Sequence, residues 1–164
     1  MSLEWTPVYV GLGSNLDDPR LQIERACDAL RSIADSRFEL RSSLYRTPPF
    51  GPVQQPDFVN AVAALLTRRR APDFLAELKR IESHLGREKS VRWGPRRIDL
   101  DLLVHGRTTI DESGIRVPHP GIVERAFVLV PLAEIAPDLV VPKSGRVAAL
   151  RDRVDTSAVV RLDP

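Results

Sequence analysis

The stretch Ile98-Asp99-Leu100-Asp101-Leu102-Leu103-Val104 (IDLDLLV) reads as a strand with two unlike faces, and the rest of the chain must be arranged around it. Its first five positions alternate apolar and acidic. Successive side chains of a strand point to opposite faces, so Ile98, Leu100 and Leu102 share one side and Asp99 and Asp101 share the other. Such a strand needs apolar cover on its first face. Upstream, residues 72–85 carry Phe74, Leu75, Leu78, Ile81 and Leu85 at helical spacing, opened by Pro72-Asp73 and stopped by Gly86. Residues 58–67 (FVNAVAALLT) read as a strand, although their alanines also allow a helix, and residues 38–45 read as another strand. Residues 19–33 read as a helix opened by Pro19 and striped by Leu21, Ile23, Ala26, Cys27, Leu30 and Ile33. Residues 8–12 (VYVGL) read as the first strand. Downstream, residues 122–132 read as a short helix and 139–141 as a last strand. The order β-α-β-β-α-β with C-terminal additions predicts an α+β, ferredoxin-like sandwich.

Composition bounds the rest. The chain has 164 residues, which suits one domain over residues 1–164 and buries enough surface to fold without a disulfide or metal staple. Hydrophobic residues at 43% and charged residues at 28% are ordinary for a soluble globular protein. The longest aliphatic run, residues 61–66, falls far short of the roughly 18 residues of a membrane span. The first seven residues have neither a basic start nor an apolar core, so no secretory leader is expected. Together with a lone cysteine, Cys27, this leads to the expectation of a reducing, cytoplasmic location. Charges of 24 basic against 22 acidic give +2, too balanced for general binding to nucleic acid or a membrane surface. Three scattered histidines and one cysteine exclude a zinc site of the usual spacing.

Three clusters can carry chemistry. The first is the Asp99/Asp101 pair. Side-by-side carboxylates repel, and a bound cation relieves that; oxygen ligands at this spacing suit Mg²⁺, which fills its sphere with water and phosphate oxygens. A solvated strand face is the plain alternative. The basic stretch just upstream, with Arg87, Lys89, Arg92, Arg96 and Arg97 around Trp93-Gly94-Pro95, shifts the balance toward a polyphosphate, because guanidinium forks match phosphate oxygens. The second cluster is Thr47-Pro48-Pro49-Phe50 with Phe58 and Asn60. An aromatic ring and a carboxamide on one strand face offer stacking plus paired donor and acceptor, which suits a flat heterocycle; a core Phe and a turn Asn are the alternative. The third is Val117-Pro118-His119-Pro120 with Arg125 and Phe127, where His119 is either a site residue or structural. Glu82 sits on the buried edge of its helix and is either a site residue or an ion-pair partner. No Gly-x-x-x-x-Gly-Lys motif occurs, and Gly11-Leu12-Gly13-Ser14-Asn15-Leu16 lacks the third glycine of a dinucleotide fingerprint, so its glycines read as a tight strand exit.

The run Arg92-Trp93-Gly94-Pro95-Arg96-Arg97-Ile98-Asp99-Leu100-Asp101-Leu102-Leu103 resembles the signature of the 6-hydroxymethyl-7,8-dihydropterin pyrophosphokinase family of folate biosynthesis. Gly11 to Leu16, Tyr45-Arg46-Thr47-Pro48-Pro49, Asn60-Ala61 and Val117-Pro118-His119-Pro120 are similar to that family's other blocks, in the same order. The resemblance spans residues 8–142. It implies a ferredoxin-like fold, ATP as donor, two Mg²⁺ ions and a monomer acting on small molecules. Asp99 and Asp101 are then metal ligands, and with Arg87 and Arg96 the catalytic set. Glu82, Arg87, Trp93, Arg96, Leu102, His119 and Arg125 fall on the nucleotide side. Thr47, Pro48, Phe50, Phe58, Asn60, Trp93 and Phe127 form the pterin pocket, with the pterin between Phe58 and Phe127.

Two rivals remain. A nucleic-acid module on the same plan stacks bases on central-strand aromatics, but here the first strand offers only Tyr9 and the last carries two acids. A catalytically silent scaffold would not need every one of these groups.

Overall fold

The computed structural model describes residues 4–49, 51–86 and 94–164. Its centre is β1 (Thr6–Ser14), followed by helix α1 (Pro19–Arg31). The chain returns through two short strands, β2 (Ser36–Arg41) and β3 (Tyr45–Thr47), then β4 (Phe58–Thr67), helix α2 (Ala71–His84) and β5 (Asp99–His105). β1 lies antiparallel between β4 and β5, and β4 pairs antiparallel with both β2 and β3. The predicted order of strands and helices is therefore present as an antiparallel sheet.

Helices α1 and α2 cover one face. Val8, Val10 and Leu12 of β1, with Ala61, Ala63 and Leu65 of β4 and Leu100 and Leu102 of β5, meet Ile23, Ala26 and Leu30 of α1 and Phe74, Leu78 and Ile81 of α2. Each fully buried large side chain contributes about 1.5–3 kcal/mol relative to exposure. Cys27 belongs to this core, and burial pushes its thiol up to about 11, so it is a packing group rather than a nucleophile. Local signals set the helix ends. Asp18 caps α1 by accepting from the Leu21 backbone N–H, and Pro19 follows it. Past α2, Gly86 takes φ +86°, which favours glycine.

The C-terminal additions build a second layer. After the hairpin β6 (Ile110–Glu112)–β7 (Ile115–Val117) and a 3₁₀ turn at Ile122–Glu124 comes α3 (Ala126–Ile135). A second hairpin, β8 (Val140–Val141)–β9 (Gly145–Arg146), leads to α4 (Val147–Arg151), and β10 (Val160–Arg161) closes the sheet against β3. Val128, Leu129, Leu132 and Ala133 of α3 and Val147 and Leu150 of α4 pack on Val62, Leu103 and Val104 of the sheet. Tyr9 pairs with Val104 and Val10 with Leu102, so Leu103 is an extra residue. That bulge lets Leu103 and Val104 both reach this layer. Among the described residues no helix is long and apolar enough to cross a membrane.

Three local expectations need correction. Residues 38–45 are two strands, not one. The Ser42 hydroxyl accepts from Val62 N at 2.9 Å, and Ser43 N turns to the Glu134 carboxylate at 2.9 Å, which breaks the ladder between β2 and β3. The helix expected over 122–132 is a 3₁₀ turn and then α3, separated by extended Arg125 (φ −108°, ψ 96°). Gly11 and Gly13 do not form a strand exit; both lie inside β1.

Candidate active site

The cavity opens on the part of the second face beyond the cover of α4, between the sheet and the first turn of α3. Its volume is about 270 Å³. In register across the sheet, Gly13 lies between Asn60 on β4 and Asp99 on β5, and Gly11 between Val62 and Asp101. The two glycines therefore floor the cavity with bare backbone where any other residue would place a side chain. A Cβ on Gly13 would stand 2.8 Å from Asn60 Oδ1, closer than side chains tolerate. Sequence reasoning missed this role. The usable signal was two glycines at i and i+2 inside an apolar strand, where glycine is otherwise unfavourable.

One end of the cavity suits a flat ring. Phe58 from β4 and Phe127 from α3 both line it, as do Thr47 and Pro48. Asn60 is buried, and its Nδ2 donates to Thr47 Oγ1 at 2.7 Å. This fixes the carboxamide and leaves Oδ1 toward Gly13 as an acceptor. Phe58 and Asn60 share the cavity face, as the i, i+2 rule required.

The other end is charged. Asp99 and Asp101, both half-buried, line it together with Arg96 and Arg125. The carboxylates face glycine backbone in register, so the donor set is oxygen on an uncrowded face, which fits a hard divalent cation completed by phosphate oxygens. Arg125 lies over the Phe127 ring at 5.8 Å and is packed against Gly121, where a Cβ would meet its Nε at 2.6 Å. His119 N donates to Leu103 O at 2.9 Å, and its Nδ1 accepts from Gly121 N at 3.0 Å. The neutral ring therefore carries its proton on Nε2. Burial first, and then Arg125, lower its pKa to about 4 against a small opposing pull from Asp99. His119 is uncharged at neutral pH beside the charged end.

Thr47, Pro48, Phe58, Asn60, Arg96, Asp99, Asp101, Arg125 and Phe127 all meet at this one cavity. Three expected nucleotide-side residues do not line it: His119, whose charged neighbours Arg125 and Asp99 do, and two that point away from it. Glu82 is buried on the opposite face, where its Oε2 accepts from Leu100 N at 2.8 Å and ties α2 to β5. Leu102 points into the core under α1 and α2, because it alternates with Asp101 along the strand. Arg87, Trp93 and Phe50 lie outside the described residues.

The model of the 7,8-dihydro-6-hydroxymethylpterin-pyrophosphokinase family matches residues 9–137. The chain belongs to that family. A 2-amino-4-hydroxy-6-hydroxymethyldihydropteridine pyrophosphokinase of Pseudomonas aeruginosa is 49% identical over 135 residues, covering 82% of this chain and 83% of the relative. One of Haemophilus influenzae is 40% identical over 156 residues, covering 95% and 98%. Among solved structures, the wild-type Plasmodium falciparum HPPK-DHPS with pteroate superposes with a TM-score of 0.72 at 13% identity over 92% of this chain, which speaks for the fold alone. This chain spans 44% of that longer one.

Proposed function

We propose that the protein transfers the terminal diphosphate of ATP to the hydroxymethyl oxygen of 6-hydroxymethyl-7,8-dihydropterin and releases AMP. The observation that carries this is a single cavity in which a two-phenylalanine slot with an amide floor adjoins paired carboxylates and two arginines. Family membership and the names of the bacterial relatives support the same reading.

In this reading the hydroxymethyl oxygen bonds to the β-phosphorus in line. The bond from that phosphorus to the α–β bridging oxygen breaks, AMP leaves with that oxygen, and a carboxylate or water takes the hydroxyl proton. Positioning and charge compensation do most of the work in such transfers. Phe58 and Phe127 hold the ring by stacking, and Asn60, locked by Thr47, orients it. Arg96 and Arg125 clamp phosphate oxygens, and neutral His119 offers an Nε2–H donor without adding charge. Arg87 and Trp93 are assigned to the same nucleotide. Asp99 and Asp101 would hold magnesium, two ions per site, which supplies neutralisation of phosphate charge when bound. A ferredoxin-like description of this single domain is supported by the strand order β2–β4–β1–β5 with α1 and α2 on one face.

The test is chromatographic detection of AMP from ATP with each of the hydroxymethyl-dihydropterin and Mg²⁺ present or withheld. AMP formed only with both supports the reading; AMP formed without the pterin, or none at all, refutes it.

A further inference from the structure

Asn15 follows β1 just outside the cavity. It is 3% exposed and is not part of the cavity wall. Its backbone N–H donates to Arg96 O at 3.0 Å, and its side-chain Oδ1 accepts from Arg96 N at 2.9 Å. Its Nδ2 donates to Gln55 Oε1 at 3.0 Å and to Pro56 O at 2.9 Å. The orientation of the amide is dictated: reversed, its oxygen would face the Pro56 carbonyl and its NH₂ would face the Arg96 N–H. One side chain thus clamps Arg96, at the charged end, to the segment that enters β4 two residues before Phe58, at the ring end.

We propose that Asn15 is a positioning residue that sets the spacing between the phosphate-holding and ring-holding halves of the site. This rests on the proposed function. Among the described residues Asn15 bonds to the Arg96 and Pro56 backbone and to Gln55 rather than to ligand-facing side chains, so each substrate alone keeps its binding contacts when the clamp is cut. What changes is the separation of nucleophile and phosphorus, to which transfer is steeply sensitive: a misplacement of about 1 Å costs on the order of a hundredfold.

The decisive variant is Asn15→Asp. It keeps an acceptor for Arg96 N but sets its second oxygen against Pro56 O, cutting the clamp at one end. Steady-state kcat and both KM values are measured with the full chain, together with direct titration of magnesium α,β-methylene-ATP and thermal melting. The expected result is a fall in kcat of about tenfold to a hundredfold, with KM values and nucleotide affinity within about threefold of wild type. Gln55→Ala should lower kcat less and add nothing in the Asn15→Asp background, because both cut one connection. A folded Asn15→Asp protein with wild-type kcat overturns the proposal. So does a loss carried by KM and nucleotide affinity, or full additivity of the two changes. A wild-type protein that forms no pterin-dependent AMP refutes the function itself; an active wild type with equally active variants refutes only the clamp.

Discussion

Replacing Gly13 by alanine tests the cavity floor with a single methyl group. On backbone grounds alone the change should be mildly favourable, by up to about 0.5–1 kcal/mol, since glycine inside a strand is entropically unfavourable. The contact decides otherwise. The new Cβ would lie 2.8 Å from Asn60 Oδ1, so the carboxamide must move by about half an ångström to reach ordinary contact. Asn60 cannot turn freely, because its Nδ2 is held 2.7 Å from Thr47 Oγ1 in a buried site. Displacing it strains or breaks that bond and misdirects the acceptor offered to the heterocycle. A disrupted buried hydrogen bond costs about 1–3 kcal/mol, or roughly 5- to 150-fold in affinity. The expected outcome is a KM for the pterin raised by about that factor, because the acceptor offered to the ring is misdirected, with KM for ATP within about threefold and a melting temperature lowered by a few degrees as the Thr47 bond is lost. Gly11→Ala is the comparison. Its Cβ would stand 3.4 Å from Leu103 Cδ2, an ordinary contact, so it should shift pterin KM far less. The assay is AMP formation under variation of each substrate, with calorimetric titration of the unreactive oxidised pterin. A Gly13→Ala protein with wild-type pterin KM would show that the Asn60 carboxamide does not orient the ring.

Asp99→Ala and Asp101→Ala should each lower activity by at least about a hundredfold while leaving melting unchanged or slightly raised, because each removes one of two neighbouring like charges; circular dichroism melting and the AMP assay check both halves. Tyr45→Phe deletes the 2.6 Å bond to Glu134 Oε1 and should cost about 1 kcal/mol in denaturant unfolding, whereas Glu134→Ala also strands Ser43 N and should cost more. Burial pushes the Glu134 carboxyl up, but the bonds from Tyr45 and Ser43 outweigh it and leave the pKa lowered. That brace is therefore present at neutral pH and weakens as the solution is acidified through the carboxylate range. For His119 the folded pKa of about 4 lies below the unfolded value of 6.5, so the unfolded chain binds the extra proton between them. Stability should fall as pH drops from about 6.5 to 4, and His119→Gln should flatten that part of the unfolding profile.

What the sequence disclosed follows from the range over which each signal acts. The alternation at residues 98–102 needs only its own strand, and it assigned Leu100 and Leu102 to the core and both aspartates to the cavity. The same rule paired Phe58 with Asn60. The break between β2 and β3 was not readable locally, since it depends on a carboxylate 91 positions from Ser43. Glu82 was ambiguous for a related reason: its partner is a backbone N–H on another element, which periodicity does not reveal. The β6–β7 hairpin was within reach, because Ser113-Gly114 is a two-residue turn between Glu112 and Ile115 and Gly114 takes φ +86°. Asn15 gave no cue of its own, because Asn after Gly-Ser is ordinary turn chemistry. Its importance lies in partners 40 and 81 positions away.

Helix α3 has two occupations. Its first turn delivers Phe127 to the cleft, while Leu129, Leu132 and Ala133, two to six residues further on, anchor the outer helical layer. A rigid rod cannot yield at one end without disturbing the other. A molecule wedged against Phe127 therefore leans on the whole C-terminal half of the fold, and its grip should be legible far from the cleft as slowed amide exchange along α3 and α4.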